Sequence, residues 1–449
     1  MNTERGAVRQ NVVYSLLDFA APPLLMIVAA PVLLKALGAQ QYGVWMLVNS
    51  VAATAGGLGG GVGDAATRFI SMYHGRGDHE GVVRSLLASL AINGTLGLLL
   101  AISTIVVAPF LFGHVFRVGQ VFQHDAIVAT RIGAVILCLR FPEAVFVSAL
   151  RAHQYYRRFV LVSVISRVLL LGSTITLSIN GFGLVAILLA TLATGLLSFA
   201  AQAASVARML KIRTWRNANL RIGVREIAHF GIFTWLKSAL GVLFGYADRL
   251  LIAAVLGPTP LAYYTLCSQI TQPIPTALVY GFNFLFPTIS SQSASGKWEA
   301  TRRSYRNAVL VSATIVVFVC VPMIVAARHI LTLWLGSAVA NNYHGVLVAL
   351  VVGNGLVAIS IVPLYGALAL GHSRELAAVN LVAGVVSLSI GYVLMRNIGI
   401  VGVALAKVTA GLVLLTTFAI VRKSLAHGDT TARLSEPEFP AFARVEASR

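Results

Sequence analysis

Displaced by 219 positions, this sequence falls into register with itself without a gap. Leu37-Gly38 lands on Leu256-Gly257, and Gly77, Glu80, Arg84 and Ser85 land on Gly296, Glu299, Arg303 and Ser304. His153 lands on His372, and Gly183 on Gly402. One offset held over so much chain marks an internal structural repeat. The fold must therefore be built from two similar halves.

Each half is rich in apolar segments. Of 449 residues, 57% are hydrophobic and 11% charged, and the mean hydropathy is +0.83. A soluble domain carries about 25% charged residues, so too little charge is present to cover a water-exposed surface. Taking about 20 apolar residues per bilayer-crossing helix, the chain holds twelve spans: 12–34, 43–65, 86–108, 126–150, 159–179 and 184–206, then 232–256, 262–287, 308–327, 345–369, 376–395 and 400–421. An even number per copy gives both copies the same orientation. The expected fold is an all-α polytopic membrane protein with 12 transmembrane helices in two parallel six-helix repeats. Parallel repeats of this kind build transporters, with a substrate path between the copies. The expected domains are an N-terminal lobe (1–206), a basic cytoplasmic linker (207–231), a C-terminal lobe (232–421) and a polar cytoplasmic tail (422–449).

The net charge of +19 would suggest nucleic acid in a soluble protein. Here the basic residues sit in short gaps between spans, where they set topology. With the N-terminus cytoplasmic, inside segments hold 24 Lys and Arg, against five outside: Lys35, Arg117, Arg131, Arg328 and Arg396. Both termini are expected on the cytoplasmic side. The linker carries Arg208, Lys211, Arg213, Arg216, Arg221 and Arg225 against Glu226. Such basic cytoplasmic loops suit anionic lipid headgroups, although topology alone accounts for their charge. The basic N-terminus followed by an apolar stretch is interrupted by Asp18 and Pro22-Pro23, so it is read as a retained span and not a signal peptide. Cys138, Cys267 and Cys320 are scattered through spans and form no metal or disulfide pattern.

Gly56 to Gly63 reads GGLGGGVG. No Lys-Ser or Lys-Thr follows, so a phosphate loop is disfavoured. Gly57/Gly61 and Gly59/Gly63 are instead small-xxx-small pairs that permit close helix approach. Prolines at 22, 23, 31, 273, 275 and 363 favour kinks.

An ionisable group at the bilayer centre costs about 3 kcal/mol on insertion scales, so the embedded charges are the candidate functional residues. Arg140, Arg167, Lys237, Arg249 and Lys407 are assigned to a substrate path. Asp18, Asp64, Glu143 and Asp248 are assigned to ion coupling or gating. The repeat maps Asp18 onto Lys237 at matching depth, which suggests a gate at the cytoplasmic mouth. Lys237, Gly241, Phe244 and Asp248 share one helix face. Arg140 and Glu143 are three apart, close enough to pair. A basic excess along the path suits an anionic cargo such as a pyrophosphate.

Enzyme signatures are absent from the sequence. No H-E-x-x-H, Asp-x-Asp, Walker A or G-x-S-x-G occurs. No catalytic residue, metal or cofactor is expected. Without an ATP site, a proton or sodium gradient, or the supply of cargo itself, must drive transport.

The run Leu37-Gly38-Ala39-Gln40-Gln41-Tyr42-Gly43-Val44-Trp45 resembles the first external loop of bacterial polysaccharide flippases. These are the O-antigen, capsule and exopolysaccharide exporters of the multidrug/oligosaccharidyl-lipid/polysaccharide exporter superfamily. Gly61-Val62-Gly63, Arg68-Phe69-Ile70, Arg76-Gly77-Asp78, Asp248-Arg249-Leu250-Leu251-Ile252 through Leu256-Gly257, and Asn180-Gly181-Phe182-Gly183 carry the same resemblance, which covers about residues 10–420. It implies a V-shaped pair of six-helix lobes working by alternating access in the bacterial inner membrane. It implies as cargo an undecaprenyl-pyrophosphate-linked oligosaccharide, moved from the inner to the outer leaflet for surface polysaccharide such as lipopolysaccharide. A glycan polymerase and a chain-length regulator are the partner proteins it implies. Two alternatives stand beside it: an ion-coupled multidrug/cation antiporter of the same superfamily, and a membrane-embedded glycan polymerase.

Overall fold

The computed structural model describes residues 2–57, 60–153, 155–210, 223–224, 227, 242 and 244–427, with side chains from residue 24 onward except 57, 60–64 and 156–158. All regular structure among these residues is helical. The chain forms two compact units, Met1–Leu266 and Cys267–Arg449. The linker expected over 207–231 lies largely outside the described residues.

The first unit contains α1 (Asn2–Gly57), α2 (Gly60–Gly75), α3 (His79–Phe110) with a π-helical turn at Leu111–Val115, α4 (Gln120–Ala152), α5 (Tyr156–Ile179), α6 (Leu184–Met209) and α7 (244–255). The chain passes to the second unit within α8 (Pro258–Thr271). α1 is two helices joined at Gly38, whose φ of 73° and ψ of 162° are the only non-helical values within it. A glycine is needed there because a Cβ disfavours positive φ. The bends expected at Pro22, Pro23 and Pro31 do not break the helix; Gly38 takes the whole turn. α4 is the centre of this unit and packs against α3, α6, α1 and α2. Half of its apolar window is buried, against 11% for that of α5.

The second unit continues with α9 (Pro273–Phe282), α10 (Leu285–Ala294), α11 (Trp298–Val325), α12 (Ala327–Leu335), α13 (Ser337–Ile359), α14 (Ile361–Ala369), α15 (Ser373–Ile398), α16 (Ile400–Leu414) and α17 (Thr417–His427). The span expected over 262–287 is divided among α8, α9 and α10. Pro273 opens α9 at its first turn, where the missing N–H costs no helical hydrogen bond. The span expected over 345–369 is likewise divided at Ser360, with Pro363 in the first turn of α14. α13 is this unit's centre, and 67% of the apolar window in the α13–α14 segment is buried.

Local structure recurs at the 219-residue offset. Gly38 and Gly257 both have positive φ, as do Gly77 and Gly296. α3 and α11 begin at His79 and Trp298, and α5 and α15 end at Ile179 and Ile398. Ser89, Asn93, Gly97 and Ala101 form a buried stripe on α3, and Ala308, Ser312, Val316 and Cys320 form the matching stripe on α11. Leu98, Leu99, Ile102 and Val106 are exposed, and so are Val317, Phe318, Val321 and Val325. Along these stretches the buried stripe is mostly small and the exposed face large and apolar, which suits a hydrocarbon solvent.

Among the described residues, nine helices or helix pairs are long and apolar enough to cross a membrane. The protein is a multi-pass membrane protein. The small-xxx-small pairs fall outside the described side chains, but neighbouring Gly56 lies where an added Cβ would come 3.2 Å from Leu137 of α4.

Candidate functional site

α4 is about 50 Å long at 1.5 Å per residue, against a hydrocarbon core of about 30 Å. Arg140 lies about 30 Å from its start and about 18 Å from its end on the same rise. Its side chain is 55% exposed. Hydrocarbon is a poor solvent for a guanidinium, so an exposed arginine at the level of a span would require water or a polar partner beside it. Ala144, one turn on, is also exposed and leaves the space beside Arg140 open.

Glu143 anchors the arginine. Its carboxylate is buried at 7% exposure and accepts at both oxygens: Oε2 from Arg140 Nη1 at 3.4 Å and Oε1 from Ser198 Oγ of α6 at 2.5 Å. A buried carboxylate without donors would be strongly unfavourable. The site therefore has a half-exposed cation held by a buried anion, itself held by a hydroxyl from a neighbouring helix. Ser198 was not visible as a partner in the sequence, being 55 residues away. Hydroxyls on the same helix, Thr191 and Ser205, bond their own i−4 carbonyls, so a serine in a span carries little positional signal.

A second embedded carboxylate is equally well satisfied. Asp248 on α7 accepts from Tyr264 Oη at 2.6 Å and from the Arg249 backbone N–H at 2.8 Å. Tyr264 on α8 is fully buried, while the Arg249 guanidinium lies 5.0 Å from the Tyr246 ring centroid. Phe244 and Asp248, two members of the expected polar stripe, are half-buried. Arg167 on α5 and Lys407 on α16 are also half-buried. Beside Lys407, α16 and α13 nearly touch: an added Cβ at Gly353 would lie 3.0 Å from the Lys407 backbone. Lys237 and Gly241 lie outside the described residues, as do the side chains of Asp18 and Asp64. Arg140 and Glu143 are thus two predicted site residues joined side chain to side chain.

The repeat isolates these charges. At the 219-residue offset Arg140 and Glu143 become Ile359 and Val362, Arg167 becomes Val386, Lys407 becomes Leu188, and Asp248 becomes Ala29. The packing stripes are shared between copies, whereas each of these charges belongs to one copy. No cluster of three or more His, Cys, Asp or Glu able to hold a metal occurs among the described residues.

Several solved structures share the fold. An inward-facing multidrug resistance MATE family transporter of the MOP superfamily superposes with a TM-score of 0.76 at 17% identity, covering 94% of this chain and 99% of that one. The lipid II flippase MurJ, in an inward closed conformation, gives 0.70 at 14% identity, covering 94% and 91%. A MOP superfamily transporter from Pyrococcus furiosus gives 0.67 at 18% identity, covering 94% and 96%. At these identities the likeness establishes the fold alone. No match is found among curated proteins. The polysaccharide biosynthesis protein family matches residues 91–344, more than half of the chain and inclusive of Arg140, Glu143, Ser198 and Asp248. With a family match of that extent on a MOP-type helical fold, this chain belongs to the polysaccharide biosynthesis protein family.

Proposed function

We propose that the protein is a flippase. It moves an undecaprenyl-pyrophosphate-linked oligosaccharide from the inner to the outer leaflet of a bacterial plasma membrane by alternating access, with both termini cytoplasmic. The observation that carries this reading is Arg140: an exposed guanidinium on the long apolar helix α4, braced from behind by Glu143 and Ser198. Held in this way, it presents N–H donors to a pyrophosphate at little further entropic cost. The family supports a role in polysaccharide biosynthesis, and the fold is one that transporters use. Arg167 and Lys407 are further candidates for handling the anionic cargo. Asp248 is the candidate coupling carboxylate, because protonation or sodium binding there would compete with the Tyr264 hydroxyl.

Arg140→Ala tests the reading in a strain lacking the native gene. It should reduce surface glycan by about tenfold or more, the scale of one lost charge-assisted contact. Arg140→Lys should restore part of it. Normal glycan from Arg140→Ala at equal membrane abundance would remove the central support. The antiporter alternative draws on the embedded carboxylate Asp248, and it predicts instead that purified protein expels cationic dyes from proteoliposomes.

A further inference from the structure

A second basic site lies well apart in sequence from Arg140, within the second unit. α11 and α17 enclose a groove of about 770 Å³, within the size range of small-ligand sites. Its two ends differ in chemistry. Arg302 and Arg306 from the first turns of α11, and Arg422 from α17, form one end. Leu310, one turn deeper on α11, and Phe418, one turn deeper on α17, form the other. The groove therefore runs from cationic to apolar along the direction in which the helices enter the membrane.

The three arginines do different things. Arg302 donates through Nε and Nη2 to the Leu425 carbonyl and so ties α17 to α11, a structural role. Arg306 and Arg422 are exposed and make no ion pair among the described residues. The nearby acids are already engaged: Glu299 pairs with Arg303 at 3.8 Å, and Glu375 with His372 at 3.2 Å. Tyr305 also lines the groove. Its ring edge faces Gly366 of α14 and its hydroxyl is shielded from solvent, so the ring forms the groove's wall. The repeat separates this site from mere topology. At the 219-residue offset Arg302, Tyr305, Arg306 and Arg422 become Val83, Leu86, Leu87 and Ala203. The first copy thus builds the same helix pair with apolar residues.

We infer that this groove is a binding site for an anionic phospholipid of the cytoplasmic leaflet. Arg306 and Arg422 hold the headgroup phosphate, and Leu310 and Phe418 receive the first methylenes of the acyl chains. Charge complementarity selects an anionic over a zwitterionic lipid, since two unpaired guanidinium groups face the headgroup and, among the described residues, no carboxylate lines the groove. The inference rests on the proposed cytoplasmic orientation of these helix ends, and not on the identity of the cargo.

Native mass spectrometry of the full chain in detergent, titrated with phosphatidylglycerol or with phosphatidylcholine, tests it without any transport measurement. The wild type should retain phosphatidylglycerol in preference. Arg306→Gln/Arg422→Gln should weaken that retention about thirtyfold. Arg303→Gln, next to the groove but paired with Glu299, should leave it unchanged. Equal retention of both lipids would overturn the inference, as would phosphatidylglycerol binding unaffected by the double substitution. Displacement by inorganic phosphate as effective as that by a short-chain phosphatidylglycerol would also overturn it, because the site would then bind a free anion. The flippase reading survives each of these outcomes, and it can fail while lipid binding stands.

Discussion

Glu143 is buried and takes one of its two donors from Ser198. A hydrogen bond to a charged group contributes about 1.5–3 kcal/mol. Ser198→Ala should therefore lower thermal stability in detergent by that order, while Ser205→Ala, whose hydroxyl bonds only its own helix, should change it little. Equal stability for both variants would show that Ser198 does not hold Glu143. His153, at the end of α4, packs against His74 with ring centroids 4.1 Å apart and the rings tilted by 45°. Burial holds its pKa below the ordinary value of 6.5, helped by His74 and His79 and opposed by the bond to the Ala149 carbonyl. The unfolded chain therefore takes up this proton first as pH falls. Stability should decline as pH drops below 6.5 and level off beneath the folded pKa. Melting curves at stepped pH check this, and His153→Gln should flatten the decline. The Arg140–Glu143 spacing of three residues was legible in the sequence, and the two do meet at 3.4 Å. Ser198 and Tyr264 were not legible, because contacts between helices follow from packing and not from local spacing.

The elements were legible where apolar length decided them. The spans expected at 159–179 and 184–206 correspond closely to α5 and α6. Sequence length misled where a long apolar run contained a backbone break, as at Gln272 before Pro273 and at Ser360 before Pro363. Hydropathy is blind to such breaks because the residues on both sides remain apolar. Two glycines test the packing of the elements. An added Cβ at Gly43 would fall 1.9 Å from the Pro258 carbonyl oxygen, which is backbone and cannot step aside. Gly43→Ala should destabilise the first unit by at least about 1–3 kcal/mol, the usual cost of overpacking. Gly172 on α5 has nothing within 4 Å of its added Cβ. Gly172→Ala should be neutral or stabilising, by up to about 1 kcal/mol from helix propensity. Folded yield and melting temperature of the two variants in detergent should diverge in these directions. The same response from both would mean that Gly43 is not at a tight contact.

At the scale of the whole molecule, repetition and its violation carry different information. The buried stripes of α3 and α11, their exposed apolar faces and the positive-φ glycines recur at one offset. Folding is served twice by the same pattern. The embedded charges do not recur, which is what a cargo with distinct lipid, pyrophosphate and sugar ends would require of its path. The proposed Asp18–Lys237 gate falls outside the described side chains, and paired charge reversal at the two positions, scored by surface glycan, tests it. Purified protein reconstituted into liposomes carrying an undecaprenyl-pyrophosphate-linked oligosaccharide tests the central claim most directly, with transfer read as glycan newly accessible to an external glycosidase. The account predicts protein-dependent exposure of the glycan that falls at least about tenfold in Arg140→Ala. Exposure no greater than in protein-free liposomes, or exposure unaffected by Arg140→Ala, would contradict it.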